Sequence, residues 1–281
     1  MNISEMLQNI YKARQAPREA APTVKVSPPD PVKIVAYGGG TNSTALLVLL
    51  HETGVRPDLI LFADTGGEKP HTYVHVAEVS RWCVSIGFPE ITIVKKRGRV
   101  FVGETLEENC IRKSMLPSLA YGFKGCSQKY KIQPQDMLVN NWGPAKTTWA
   151  SGQKVIKFIG YDADESRRAK ISTSDKYEYK YPLLAIDWGR DECVEAIQRA
   201  GLPQPDKSAC FFCPASKKPE ILELKKRYPE LLARALAMEA NAELVTVKGL
   251  GRYFSWKEFL EGQPTEPYCE VDQDCGCYDG E

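Results

Sequence analysis

The glycine-rich segment at residues 38–43, Gly-Gly-Gly-Thr-Asn-Ser, has the residue types needed to bind an anion. Consecutive glycines remove every Cβ from a tight turn, and the polar residues after them supply oxygens that can cap a helix. The N–H groups at the start of such a helix point outward, and the helix dipole favours negative charge. The segment predicts a cradle for phosphate or sulfate, formed by Gly38, Gly39, Gly40, Thr41, Asn42 and Ser43.

The spacing of this segment excludes two common nucleotide motifs. No Lys-Ser or Lys-Thr pair follows the glycines, as a Walker loop requires, and adjacent glycines do not match the spaced glycines of a dinucleotide fingerprint. A glycine turn after a strand also occurs where a helix merely packs closely, so the loop needs support from elsewhere in the chain.

A carboxylate and an arginine pair provide further candidate chemistry. Asp64, followed by Thr65 and Gly66, ends an apolar run, and its alternative role is to form a turn. The guanidinium groups of Arg167 and Arg168 suit bidentate phosphate binding, but the pair can equally form surface ion pairs with acidic neighbours.

Cysteines are the third group of reactive residues. Cys210 and Cys213 are separated by two residues, a spacing at which two thiolates can hold one zinc ion or iron–sulfur cluster. A closed site needs two more ligands, and the spacing does not distinguish zinc from [4Fe-4S]. Three other cysteines fall in ordinary segments and are expected to pack in the interior, namely Cys83, Cys110 and Cys193.

The apolar pattern around these residues predicts an α/β fold. Residues 34–37 form a short apolar run before the glycine loop, and residues 45–50 form a buried helix after it. Residues 59–63, 71–86 and 91–94 continue as strand, helix and strand. The β-α-β-α-β order predicts a Rossmann-like parallel sheet with helices on both faces. Its polar loops should meet at the carboxyl edge, where such folds bind ligands.

Composition limits the classes of protein to consider. The chain has 281 residues, 43% apolar content, a formal charge of +1 and nine cysteines. It has neither a membrane-spanning run nor a signal-peptide core, so we expect no membrane partner and a cytoplasmic location. We expect three parts: a helix and Pro-rich tether at residues 1–31, a nucleotide-binding domain at 32–200, and a helical Cys-rich region with a metal site at 201–281.

Several motifs resemble those of one superfamily. Residues 38–43 resemble the Ser-Gly-Gly-x-Asp-Ser loop of the PP-loop ATP pyrophosphatases, except that Gly38 replaces the first Ser and Asn42 replaces the Asp. Residues 64–73 resemble the Asp-Thr-Gly…Pro-Glu-Thr segment of the PAPS reductase family, with His71 in place of Glu.

Three later segments extend the resemblance over about residues 32–240. Residues 125–134, Gly-Cys-Ser-Gln-Lys-Tyr-Lys-Ile-Gln-Pro, resemble that family's Cys-Thr-x-x-Leu-Lys-Ile-x-Pro motif. Residues 159–168 resemble its Gly-x-x-x-x-Glu-Ser-x-x-Arg motif, and residues 181–188 its Tyr-Pro-Leu…Trp motif. The order of the motifs is also that of the family.

The resemblance implies an adenine nucleotide, either ATP or PAPS, on residues 38–43, 64–66, Arg167 and Arg168. It implies a [4Fe-4S] cluster, with zinc as the alternative, and Cys126 as the third ligand beside Cys210 and Cys213. The family motifs do not supply a fourth ligand; the tail offers Cys269, Cys275 and Cys277 for it, and of these we expect Cys275. Mg²⁺ also fits ATP chemistry, although an Asn at position 42 cannot ligate it as a carboxylate would.

Three functions follow from these features. The first is ATP-dependent activation of a substrate with release of pyrophosphate and iron–sulfur-assisted sulfur transfer, as in DNA phosphorothioation, with Asp64 as a catalytic carboxylate. Basic and aromatic residues between 95 and 131 can then bind a nucleic-acid partner, although the near-neutral net charge favours lysines that only line the phosphate crevice. A sulfur-donor protein is a further candidate partner. The second is a PAPS or APS reductase in which Cys275 is the nucleophile. The third is a nucleotide-binding module without catalysis.

Overall fold

The computed structural model describes residues 30–96, 104–117, 125–169, 174–245 and 247–262. The predicted helix and tether before residue 30 and the tail cysteines lie outside these ranges. The strands are β1 (Lys33–Tyr37), β2 (Leu59–Asp64), β3 (Ile91–Lys95), β4 (Val155–Ile159) and β5 (Tyr177–Lys180).

Helices separate and follow the strands. The first six are α1 (Thr41–Glu52), α2 (Pro70–Ser85), α3 (Leu106–Arg112), α4 (Gly125–Ser127), α5 (Gln133–Asn141) and α6 (Gly143–Ala150). A π-helical turn, Gln128–Ile132, joins α4 to α5, and a 3₁₀ helix, Ala163–Arg168, follows β4. The others are α7 (Pro182–Ala185), α8 (Arg190–Arg199), α9 (Lys218–Arg227), α10 (Pro229–Asn241) and α11 (Trp256–Leu260).

The strands form one parallel sheet in the order β3-β2-β1-β4-β5. Val35 of β1 is aligned with Ile60 of β2 on one side and with Phe158 of β4 on the other. The strand order therefore reverses between β1 and β4, which is the point where open α/β sheets bind ligands. The predicted Rossmann-like parallel sheet is confirmed.

Helices cover both faces of the sheet, also as predicted. On one face, Val35 and Tyr37 pack with the apolar residues of α1, α2 and α8. On the other face, Ile34 and Leu61 pack with α5 and α6. Residues 45–50 of α1 are buried all round, and burial of each large aliphatic side chain contributes about 1.5–3 kcal/mol. This packing fixes α1, and with it the glycine loop, against the sheet.

The helical region after α8 has its own apolar core. Phe211, Phe212 and Trp256 are buried in it together with residues of α3, α9 and α10. This region is joined to the edge of the sheet by backbone contacts, because the N–H group of Phe211 donates to the carbonyl oxygen of Gly67 at 2.8 Å. No helix in the described ranges is long and apolar enough to cross a membrane.

Candidate functional site

A crevice of about 380 Å³ lies at the carboxyl ends of β1 and β4. The glycine loop at residues 38–43 forms one wall, and residues 159–168 form the opposite wall. A short segment at residues 204–208, here called the roof segment, and the start of α9 complete the lining. The volume is in the range of pockets for small molecules and cofactors.

The backbone of the glycine loop requires the residue type found there. Gly39 has φ +75°, and a Cβ at this position would lie 3.2 Å from the ring of Phe62 and 3.3 Å from Thr72. Gly160 on the opposite wall is equally constrained, because a Cβ there would lie 2.8 Å from the carbonyl oxygen of Asn42. The two walls are therefore in backbone contact at the base of the crevice.

A buried chain of polar groups holds the loop to α2. The Thr44 hydroxyl donates to the carbonyl oxygen of Gly40 at 2.9 Å, and it also contacts Tyr37 Oη at 3.2 Å and His75 Nε2 at 3.0 Å. Burial raises the pKa of Tyr37 and lowers the pKa of His75. Both side chains are thus kept neutral. These hydrogen-bonded groups therefore fix the glycine loop without placing a charge behind it.

Asn42 connects the two walls of the crevice. Its side-chain amide donates to Asp162 at 2.8 Å and to Glu165 at 3.0 Å. Asp162 is 4% exposed, and burial raises its pKa while the hydrogen bond from Asn42 lowers it. Glu165 is also paired with Arg168.

The structure places the two predicted arginines differently. Arg168 lines the crevice, and its guanidinium group lies 4.4 Å from the ring centre of Tyr161. Tyr161 in turn stacks on Tyr181 at 5.6 Å, with 10° between the rings. Arg167 is exposed and is not among the residues that line the crevice within the described ranges.

The roof segment adds residues that the sequence reasoning missed. The Ser208 hydroxyl donates to the carbonyl oxygen of Gly38 at 2.5 Å, and Gln204 Nε2 donates to Thr41 Oγ1 at 2.8 Å. Lys207 and Arg190 also line the crevice. The only sequence signal for these residues was the position of Lys207 and Ser208 just before the cysteine pair.

Asp64, Thr65 and Gly66 lie at the end of β2, on the other side of β1 from the crevice. Asp64 is 5% exposed. One carboxylate oxygen accepts from Gly66 N at 2.7 Å and from Tyr73 Oη at 2.8 Å, and the other lies 3.0 Å from Lys95 Nζ. These contacts hold the loop in place, and the catalytic role of Asp64 stays a prediction.

Cys210 lies beside that loop. Its thiol is 3.1 Å from Thr65 Oγ1 and 3.8 Å from Glu68 Oε1, and Lys131 Nζ lies 3.3 Å from the same Glu68 oxygen. Burial, and then the charge of Glu68, raise the pKa of this thiol well above its ordinary value. The cysteine is therefore protonated unless a metal displaces the proton.

The predicted metal ligands share one apolar cluster, in which Cys210 is buried and Cys126 and Cys213 are partly buried. Within the part of the chain that the structure describes, however, no three Cys, His, Asp or Glu side chains are grouped closely enough to hold a metal ion. The described thiols alone are therefore not arranged to hold a zinc ion or a [4Fe-4S] cluster, and Cys275 lies outside the described residues. The metal centre stays a prediction.

A basic surface lies beyond the ends of β2 and β3. It consists of Lys96, Arg112, Lys113 and Lys129. Lys96 Nζ lies 4.2 Å from the ring centre of Tyr130 and 3.2 Å from its hydroxyl group. Burial lowers the pKa of Lys96, the carboxylate of Glu104 opposes this, and the other three cations lower the pKa further. The cations are therefore close enough to interact.

The fold and crevice define an α/β protein with a Rossmann-like sheet and a ligand crevice at its switch point. No family model matches the chain. It is 23% identical over 206 residues to the uncharacterized protein MJ0066 of Methanocaldococcus jannaschii. The match covers 70% of this chain but 39% of that protein, so the chain spans about two fifths of the length of this curated relative.

Among solved structures, the chain is similar to the U34-tRNA thiolase NcsA from Methanococcus maripaludis with its [4Fe-4S] cluster. The TM-score is 0.41 and the sequence identity 14%, with 77% of this chain and 74% of that chain covered. A likeness at this level does not extend to individual residues or to activity.

Proposed function

We propose that the chain is a PP-loop-type enzyme that binds an adenine nucleotide in the crevice, with the phosphates on residues 38–43. The observation that carries the proposal is the position of the glycine loop, at the start of α1, in a crevice that is also lined by four cationic side chains. These are Arg168, Arg190, Lys207 and Lys217. Helix N-termini and guanidinium groups both favour phosphate oxygens.

The site supports activation of a substrate by transfer of the nucleotide, with pyrophosphate as the leaving group. The loop amides would bind the phosphates, and Arg168, held between Tyr161 and Glu165, would direct its guanidinium group at the charge that develops on the leaving oxygens. Preorganised donors of this kind are the main source of catalysis in phosphoryl and nucleotidyl transfer. No general base is assigned, because both oxygens of Asp64 already have donors.

We further propose that the acceptor is a nucleic acid and that the reaction serves sulfur transfer. The basic surface supports this part of the proposal, because Lys96 directly follows β3 at the carboxyl edge of the sheet, where the crevice also lies, and Lys113 and Lys129 interact electrostatically with Lys96. Clustered cations suit the phosphates of a nucleic-acid backbone. Tyr130, the aromatic side chain beside Lys96, is buried, so this surface is proposed to bind the backbone and not to stack a base. Binding through such a surface should weaken as salt increases.

The proposed nucleotide site can be tested by calorimetric titration with ATP and with PAPS. Gly39→Ala should weaken binding, because a Cβ would strain the positive φ and crowd Phe62 and Thr72. Gly152→Ala is the matched control, since Gly152 also has a positive φ, of +77°, but a Cβ there meets nothing within 4 Å. Equal nucleotide affinity in the two variants would contradict the proposed site.

Product analysis then separates the functions. Pyrophosphate released from ATP in the presence of an acceptor supports the proposal. Sulfite released from PAPS with a thiol reductant would replace it with the reductase function. If the protein binds nucleotide but forms neither product with any of a panel of tRNA and DNA acceptors, it is a nucleotide-binding module without catalysis.

A further inference from the structure

Asn42 occupies an unusual position, between two carboxylates from the opposite wall of the crevice. Its amide nitrogen lies 2.8 Å from Asp162 Oδ2 and 3.0 Å from Glu165 Oε2. An amide nitrogen carries two hydrogens, so each carboxylate receives one. The reverse orientation of the amide would place its oxygen against two carboxylate oxygens, so the donor assignment follows from the chemistry of the neighbours.

A carboxylate at position 42 could not make the same contacts. An aspartate there would bring a third negative charge to about 3 Å from two others, and such groups stay together only if they share a proton or bind a cation. Asp162 is also 4% exposed, so water would screen the repulsion poorly. An aspartate at this position therefore needs a shared proton or a cation between the walls, and an asparagine needs neither.

We propose that the Asn42 amide takes the place of a divalent cation between the glycine loop and the carboxylates of Asp162 and Glu165. The residues present do not fit Mg²⁺ at this point, because hydrogens of the amide fill the space between the carboxylates. The crevice is thereby joined across its base without a metal. The inference concerns this position alone, since Mg²⁺ carried by the phosphates of a nucleotide is a different ion.

The groups around the two carboxylates are consistent with this role. Glu165 is also bonded to Arg168, and Arg190 lowers the pKa of Asp162 while Asp164 raises it. Glu165 thus has a guanidinium partner in contact, and a second cation lies near Asp162. Asn42 acts as a positioning residue, because it fixes Glu165 and through it the guanidinium group that faces the crevice.

The test compares thermal unfolding in EDTA and in millimolar Mg²⁺, without nucleotide. Asn42→Asp should lower Tm in EDTA by about 4 °C, and Mg²⁺ should restore it. The wild-type protein and the control Asn141→Asp, which makes the same chemical change at an exposed position, should have the same Tm in both buffers. A role of Asn42 in packing alone would give a loss that Mg²⁺ does not repair, and that result would contradict the inference.

Two further results would overturn the inference. One is an increase in the Tm of the wild-type protein with Mg²⁺ that is as large as the increase for Asn42→Asp. The other is an Asn42→Asp protein with the same Tm in EDTA as the wild-type protein. If Asn42→Asp does not fold, the triple variant Asn42→Asp/Asp162→Asn/Glu165→Gln places one carboxylate between two amides. It should fold with the same Tm in EDTA and in Mg²⁺, and a triple variant that requires Mg²⁺ would also contradict the inference. Because no nucleotide is present, the result is independent of the proposed function.

Discussion

The Ser208 hydroxyl donates a hydrogen bond of 2.5 Å to the carbonyl oxygen of Gly38, although 170 residues separate the two in the sequence. This bond joins the glycine loop to the roof segment, which leads directly into Cys210. The region that contains the cysteine pair and the loop that is proposed to hold phosphate are therefore mechanically connected. A change in one should be measurable in the other.

Removal of this bond should weaken nucleotide binding. Ser208→Ala leaves the Gly38 carbonyl without its donor and loosens the roof, so the Kd for ATP should rise about fivefold, the equivalent of one hydrogen bond. Ser85→Ala is the control, since the Ser85 hydroxyl donates to the carbonyl oxygen of Trp82 at 2.7 Å on an exposed part of α2. A Kd that responds equally to both substitutions would show that the roof does not contribute.

The adjacent arginines give a matched pair of variants. Arg168→Ala should raise the Kd for ATP roughly tenfold or more, because hydrogen bonds to charged groups contribute about 1.5–3 kcal/mol. Arg167→Ala should leave it unchanged, since Arg167 is exposed and does not line the crevice. Titration calorimetry of both variants checks this prediction, and a larger loss from Arg167→Ala would contradict the assignment of the opposite wall.

The predicted metal centre can be tested by metal analysis of protein purified without oxygen. Cys126→Ser, Cys213→Ser and Cys275→Ser should each lower the iron content, or the zinc content if the centre is zinc, and should lower Tm as well because metal binding stabilises the fold. Cys110→Ala is the control, since Cys110 is buried in the same apolar cluster but is not a predicted ligand. Unchanged metal content in all three Ser variants would eliminate the site.

Local sequence was sufficient to predict the sheet, α1 and the glycine loop. The apolar runs at residues 34–37 and 45–50 and the glycines between them all lie within one short segment, and each favours the same structure. The partners of these residues could not be predicted in that way. Asn42 meets Asp162 from 120 residues away, and Thr41 meets Gln204 from 163 residues away. Such contacts depend on how β4 and the roof segment are brought beside the glycine loop, which no local pattern encodes.

Buried thiols should make the protein unstable in alkaline solution. Burial raises the pKa of Cys83, Cys110 and Cys193 from 9.0 to about 12. Between these values the unfolded chain loses the thiol proton and the folded chain keeps it, so unfolding is favoured as pH rises. The stabilising contribution of each protonated thiol is complete below pH 9 and is lost progressively from there toward pH 12.

Cys83 is the thiol on which to measure this effect, because it is a fully buried residue of α2 and is not a predicted metal ligand. With a pKa of 9.0 in the unfolded chain and about 12 in the folded one, it should cost about 2–3 kcal/mol of stability at about pH 11 relative to about pH 8. Cys83→Ala removes this titration at the expense of a small cavity. The variant should therefore be less stable than the wild-type protein at the lower pH, and the difference should shrink or reverse at the higher one. Urea unfolding at both pH values decides it, and a constant difference would show that Cys83 does not titrate as its burial requires.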